Sequence, residues 1–411
     1  MSKSNYFFGQ NVLGQVLKLI PTSLIQKVVK QTGSDFAVKK FDTKNHLYTM
    51  CYAVIGDITG LRHICDGLVA MSNSLSQLGL LYVAPKSTLS DSNRNRPSEV
   101  FAQLYKALHS YYTPFLSDRT IAEPLLSKAY AIDSTTMSLF KAILKASGRK
   151  SKDGKSVGGI KAHVQISLLD ELPMNVKHTS GATHDHTFLK DLKLNAHDIA
   201  IFDKAYVDYN QYALWSSQEI YFVTREKDNA KSTFHLERDL PDDKDFDILK
   251  DEEITKGYED EHNQQQELVL RRTVIWSDKH QAKIVLLSNA FHLEASEISM
   301  LYRKRWRIEL LFKQLKQNFP LKYFVGDNQN AIEIQIWCVL IVNLLMTIIR
   351  LKVKNKNTSF ALLVSIVRQH AMSYLNIVKY LQNPDGLRKQ YHNDIKRTKN
   401  NKQTSLVLNT S

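Results

Sequence analysis

AYAID (129–133), DIAIFD (198–203) and IYFVTR (220–225) decide how this chain is read. Each is a short apolar run rich in β-branched and aromatic residues, the pattern of a buried strand. IKAHVQISLLD (160–170) and NVKHTS (175–180) read the same way, and the helix-like pieces TFLKDL (187–192) and VDYNQYALWSS (207–217) separate the later strands. Three consecutive strands, a helix, a strand, a helix and a strand predict a mixed α/β sheet. Asp133 closes the first of these runs and Asp203 closes DIAIFD. Side chains at the carboxyl ends of strands in such a sheet converge on its crevice. A carboxylate there is costly unless a metal, a hydrogen bond or a cation compensates it. Two such ends suggest a carboxylate pair holding a hard divalent cation. Two turn-starting aspartates are the structural alternative.

Outward from these strands the chain changes character. Residues 1–120 look helical: VLGQVLKLI, SLIQKVVKQ, HLYTMCYAVIG and EVFAQLYKALHSYY repeat apolar residues at three and four. A polar, basic break, PKSTLSDSNRNRPSE (85–99), interrupts them, with Asn95 or Ser98 a possible cap and Pro97 suited to a helix start. A helix, a turn and a basic segment suggest DNA binding, and a solvated loop between two core helices is the alternative. Past the sheet strands, residues 237–261 hold twelve acidic and four basic residues. LVLRRTVIW (268–276) and AKIVLLSN (282–289) follow as strands. Residues 226–295 therefore read as a β-rich insertion with a solvated acidic loop. Helices resume with ASEISMLYRKRWRIELLFKQLKQNF (295–319), which Ser296 could cap, with Glu297 nearby. An apolar helix over 331–350 and helices over 359–382 come next, and the tail from 386 to 411 is basic.

Composition bounds the function. The 411 residues are 43% hydrophobic and 23% charged, as in a globular protein of two or more domains. The net charge is +14, and the acid-rich stretch carries −8, leaving +22 elsewhere. A balance this basic calls for a polyanionic partner. Three scattered cysteines, Cys51, Cys65 and Cys338, make no disulfide framework and fit a reducing cytosol. MSKSNYFFGQ lacks the apolar core of a signal peptide. IQIWCVLIVNLLMTII (334–349) is interrupted by Gln335, Asn343 and Thr347 and falls short of the ~20 residues that span a bilayer, so no membrane is expected.

On the helix over 295–319, Tyr302, Arg305, Glu309 and Lys316 fall within one stripe about 60° wide at ~100° per residue. Met300, Leu301, Ile308, Leu311 and Leu315 take the opposite face. A carboxylate among cations is suited to metal beside a phosphate backbone. A solvated face carrying an Arg305–Glu309 ion pair is the alternative. Other patterns fail. Gly148-x5-Gly154-Lys155-Ser156 is one residue too long for a P-loop. With Arg149, Lys150, Lys152 and Lys161 it reads instead as a basic hairpin. His163, His178, His184, His186 and His197 match no zinc spacing. No Gly-x-Ser-x-Gly is present.

Asp133 in AIDST, Asp203 in FDKAYVDY and Tyr302-x2-Arg305-x3-Glu309-x6-Lys316 resemble the Asp-Asp-Glu transposases of bacterial insertion sequences, in the group with the Tyr-Arg-Glu-Lys signature. TREKDN (224–229) resembles that group's strand-end segment. The resemblance covers about 125–350, and 1–110 is similar to the DNA-binding region of one branch. It implies an α/β, RNase H-like mixed-sheet core over 121–225 and 296–350, interrupted by the insertion at 226–295. A helical DNA-binding region over 1–120 and a helical region with a basic tail over 351–411 would flank it. It implies Asp133, Asp203 and Glu309 as catalytic metal ligands, two Mg2+ ions (Mn2+ possible), and Tyr302, Arg305 and Lys316 on DNA phosphates. It also implies nicking, a hairpin and strand transfer at terminal inverted repeats into target DNA, a homodimer on paired ends, and a cytoplasmic, nucleoid-associated protein. A metal-dependent endonuclease of the same fold, or an inactive DNA-binding protein, stays open. The helix-like SLFKAILKAS (138–147) departs from the family's second strand, and Trp276 and Trp306 are candidates by type for stacking on a flipped base.

Overall fold

The computed structural model describes residues 10–116, 124–138, 148–150, 156–180, 183–227, 230–240, 248–278, 281–354, 358–386, 389 and 392–393. They divide into two compact units. One gathers the described residues of 1–109 with 318–320 and those from 324 onward. The other holds 110–317 and 321–323.

The first unit opens with α1 (Val12–Leu17), α2 (Thr22–Thr32), α3 (Thr43–Gly56), α4 (Leu61–Ala70), α5 (Lys86–Asn95) and α6 (Ser98–Leu116). Asn11 and Asp42 cap α1 and α3, each accepting the N–H three residues on. The polar break is no solvated loop: most of it is α5. Asn93 and Arg96 are buried, because His46 Nε2 meets Asn93 Oδ1 at 2.7 Å and Arg96 Nη1 meets His46 Nδ1 at 2.9 Å. Burial first, then the charge of Arg96, pulls the His46 pKa down to about 3.

The second unit is built on a ten-stranded sheet. It contains α7 (Pro124–Ser127), β1 (Ala129–Ser138), β2 (Gly148–Lys150), β3 (Ser156–Ser167), β4 (Pro173–Ser180) and β5 (Ile199–Phe202). After these come α8 (Tyr209–Ser217), β6 (Tyr221–Arg225), β7 (Thr233–Glu237), β8 (Ile248–Glu259), β9 (Gln265–Ser277), β10 (Ala282–Ser288), α9 (Ala295–Lys304) and α10 (Trp306–Asn318). The strand order is β2-β3-β1-β5-β6-β10-β9-β8-β7, with β4 also on β3. β4, β3 and β1 run antiparallel, whereas β1, β5 and β6 are parallel. β6 then passes antiparallel to β10, so the strands between 233 and 288 extend the same sheet. Ile132, Phe188, Ala200, Phe202, Tyr212 and Phe222 share one apolar cluster, where Tyr212 and Phe222 stack at 4.2 Å between centroids.

The acid-rich stretch corrects the expected solvated loop. Its residues 248–259 are β8, and Asp251 and Glu252 are buried. The register explains it: Glu252 faces Arg272 and Glu253 faces Arg271 across β8–β9. Arg271 Nη2 and Nε reach Asp251 at 2.6 and 2.9 Å, and Arg272 Nη2 reaches Glu252 at 2.6 Å. Residues 241–247 lie outside the described set, as do the hairpin residues 151–155, most of SLFKAILKAS and nearly all of the basic tail. TFLKDL, but for Leu192, lies within a 3-10 helix, Asp185–Asp191.

The first unit closes with α11 (Gln329–Val353), α12 (Phe360–Gln369) and α13 (Ile377–Gln382). α11 is long and apolar enough to cross a membrane, but it is mostly buried. Gln335, one of its polar interruptions, donates to the Pro320 carbonyl at 2.6 Å and accepts the Val325 N–H at 2.9 Å. Asn330 donates to the carbonyls of Asn93 and Arg96, both at distances below 3 Å, and so ties α11 to the junction of α5 and α6. α11, expected to belong with the sheet, therefore groups with the N-terminal helices.

Candidate active site

The site begins with the register of β1 on β5. Ala129 faces Ile199, Tyr130 faces Ala200 and Ala131 faces Ile201, a constant offset of 70. Continued two residues past the last parallel pair, the offset sets Asp133 level with Asp203. Each aspartate is fixed in the same way: Asp133 Oδ1 accepts the N–H of Ser134 and Asp203 Oδ1 that of Lys204, both at 2.7 Å. Asp203 follows β5 and caps a 3-10 turn, Lys204–Tyr206, as a strand-end residue should. Asp133 does not end its strand. β1 runs on to Ser138 because β3 stays paired with it, Asp133 opposite Val164.

The third acid comes from α9 and α10. The sequence predicts one helix over 295–319, but its hydrogen bonding tightens at Arg305. The Arg305 N–H goes to the Tyr302 carbonyl and the Ile308 N–H to the Arg305 carbonyl, both three-residue steps. Glu294, not Ser296, caps α9, in a capping box with Glu297. On the expected apolar face Leu301, Ile308, Leu311 and Leu315 are buried and Met300 is half-buried. On the other face the Arg305 guanidinium bonds Glu309 at 2.6 Å and lies 3.7 Å from Asp133 Oδ2, over the Tyr302 ring. Arg305 thus links Asp133 to Glu309.

Asp133 feels the charges of the other two acids. Burial raises the Asp133 pKa from the ordinary 3.8 to about 6. The Ser134 N–H and Arg305 oppose the rise, and the charges of Glu309 and Asp203 add to it. Burial acts against the Arg305 charge, but the bond to Glu309, with Tyr302 and Asp133, holds its pKa above the usual range. Burial, then Asp203, pushes the Tyr302 phenol up. Lys316 lies two turns beyond Glu309, exposed on α10, where burial of its stem lowers its pKa. Trp306, exposed, follows Arg305, whereas Trp276 lies on β9. In TREKDN, Arg225 ends β6, Glu226 pairs with the buried Lys256 of β8, and 228–229 lie outside the described residues.

Among the described residues, no three His, Cys, Asp or Glu side chains stand close enough to hold a metal ion. The donors themselves suit one: carboxylate oxygens are the ligands of hard divalent cations, and a desolvated Asp133 with two acids nearby gains from added positive charge. Arg305 brings positive charge to both Asp133 and Glu309. Sequence reasoning missed a group behind Asp133. Ser134 donates its hydroxyl to Asp185 at 2.8 Å, Lys161 pairs with Asp185 at 3.2 Å, and His163 lies 3.6 Å from it. The buried Tyr206 hydroxyl is pushed well up by burial and then by Asp133 and Asp185. The cross-strand register of His163 on Ser134 was the available signal, hidden because His163 reads as one histidine among several.

A family model described as a transposase DDE domain matches residues 125–345, and one described as a domain of unknown function, DUF4372, matches 8–81. The protein y4zB of Sinorhizobium fredii, named as a transposase, is 28% identical over 266 residues, 63% of this chain and 70% of that one. A Geobacillus stearothermophilus protein, named as a transposase for insertion sequence element IS5377, is 24% identical over 357 residues, 86% of this chain and 88% of its own. A cryo-EM structure of the piggyBac transposase synaptic complex with hairpin DNA aligns with 93% of this chain and 84% of that chain, at 11% identity and a TM-score of 0.37.

Proposed function

Because the chain belongs to the transposases that carry the DDE domain, and so is a DNA transposase, we propose that Asp133, Asp203 and Glu309 are its catalytic carboxylates. The observation that carries this is the β1–β5 register, which extended by two residues sets the aspartates level, with Arg305 joining the first of them to Glu309. The strand pattern, three antiparallel strands followed by two parallel ones, supports an RNase H-like core over 121–225 and 296–317. The strands between 233 and 288 are its insertion, and the helices of the other unit hold the element's ends.

The family works with divalent metal ions, and we assign two Mg2+ ions, or Mn2+, to the three carboxylates. Held there, they would supply activation of a water or a 3′-hydroxyl and stabilisation of the leaving oxygen in an in-line phosphodiester displacement. The chain's own residues do the rest. The N–H groups of Ser134 and Lys204 orient one oxygen of each aspartate. Arg305 neutralises Glu309 and Asp133 at rest and is placed to pass from carboxylate to phosphate, which its planar fork can grip bidentately. Tyr302 supports it from below, and Lys316 meets the DNA backbone further along as a point charge. The reaction ordered by these parts is a nick at the element's end, a hairpin, its opening and joining to target DNA. Two ends require two sites, hence a homodimer on paired ends.

The test is cleavage of a labelled duplex carrying the inverted repeat that flanks the gene, by full-length protein with Mg2+. A product of hairpin mobility on a denaturing gel, lost in EDTA, is expected. Cleavage that leaves only open ends would remove the hairpin, and EDTA-resistant cleavage would remove the metal.

A further inference from the structure

Asp185 opens the 3-10 helix after β4 and is none of the three carboxylates assigned above. One of its oxygens, Oδ1, gathers three groups: the Ser134 hydroxyl at 2.8 Å, the Lys161 ammonium at 3.2 Å and His163 Nδ1 at 3.6 Å. These partners are themselves held. Lys161 also donates to the Thr183 carbonyl at 3.0 Å, and His163 Nε2 lies 2.8 Å from Thr179 Oγ1. Strand alternation turns Ser134 to the side of β1 opposite Asp133. Ser134 therefore grips both sides: its hydroxyl is on Asp185 and its N–H is on Asp133 Oδ1 at 2.7 Å.

The place matters. The parallel ladder between β1 and β5 ends at Ala131–Ile201, so beyond it β1 keeps β3 but has lost β5. Asp133 and Ser134 lie in this half-supported stretch, where strand twist would otherwise let the carboxylate swing. Resting on the reading of Asp133 as a metal ligand, we propose that Asp185 and Ser134 are positioning residues for Asp133. The Ser134–Asp185 bond fixes the peptide whose N–H holds Asp133 Oδ1, which leaves Oδ2 on the side of Arg305, where it could serve a cation. Lys161 holds Asp185 in place. Neither residue touches DNA or metal in this role.

Groups that orient metal ligands typically change metal affinity by ~10- to 100-fold when removed. The test is Mn2+ binding to full-length, metal-free protein, followed by the electron paramagnetic resonance signal of free Mn2+. Wild type is compared with S134A, S134T, D185A and D133A. The expected result is about tenfold weaker binding in S134A and D185A, binding near wild type in S134T, which keeps the hydroxyl, and loss of binding in D133A. If D185A does not fold, the S134A and S134T pair decides alone. Wild-type binding by S134A while D133A binds nothing overturns the positioning role and leaves Asp133 standing. S134T falling as far as S134A overturns it too, since packing and not the hydroxyl would then matter. Wild-type binding by D133A instead removes Asp133 as a ligand, and the positioning role with it.

Discussion

Asp133→Asn should make the metal-free protein more stable while removing its activity. The carboxyl's pKa rises from 3.8 to about 6, chiefly by burial. The unfolded chain therefore ionises first. As pH climbs from about 4 to 6 the folded state binds more protons than the unfolded one, and stability falls. The raised value amounts to ~3 kcal/mol lost by pH 7.5, at ~1.4 kcal/mol per pH unit. Asparagine carries no charge and keeps an oxygen for the Ser134 N–H, so it escapes most of this cost. In a unit of about 200 residues, each kcal/mol moves Tm by ~2–4 °C, so Asp133→Asn should melt several degrees higher at pH 7.5. By pH 4.5 the native carboxyl is protonated and about two-thirds of the advantage should be gone. The assay is thermal unfolding followed by circular dichroism in EDTA at both pH values, with Mg2+ added in a parallel series. Mg2+ should raise the wild-type Tm and leave Asp133→Asn unmoved. An Asn variant no more stable than wild type at pH 7.5, or a gain unchanged at pH 4.5, would refute the reasoning.

Arg305→Ala should push the Asp133 pKa higher still, visible as a wider span of pH over which stability falls, and should weaken binding of end DNA. Lys316→Ala should lower the salt slope of DNA binding by about one, read from affinities at several salt concentrations, with cleavage pH dependence unchanged. Asp251→Ala leaves the Arg271 guanidinium buried and unpaired, so a loss of ~3–5 kcal/mol is expected in urea unfolding. Deleting 1–116 strips α3 and its neighbours from the unit that also contains α11, and the exposed apolar helix should drive aggregation, measured by size-exclusion chromatography.

Much of this was legible in the sequence, and particular residues say why. The strands AYAID and DIAIFD announce themselves because burial on both faces leaves near-continuous apolar runs. Glu309 and Arg305 fall on one helical face by spacing alone, and the structure brings them together at 2.6 Å. β8 was hidden because its acids face arginines on β9, a cross-strand pairing that no local pattern carries. The same holds for α5, whose Asn93 and Arg96 look solvated until His46 and Asn330 are brought to them from far along the chain. The break at Arg305 left no mark either, since neither glycine nor proline causes it. Long-range pairing of polar groups is what single-sequence periodicity cannot register.

The central claim is that Asp133, Asp203 and Glu309 act as one catalytic set. The most direct measurement is nicking of a labelled element-end duplex in Mg2+ by full-length D133N, D203N and E309Q, with binding of the same duplex measured alongside. All three variants should bind the end and none should nick it. Wild-type nicking by any one of them would contradict the assignment.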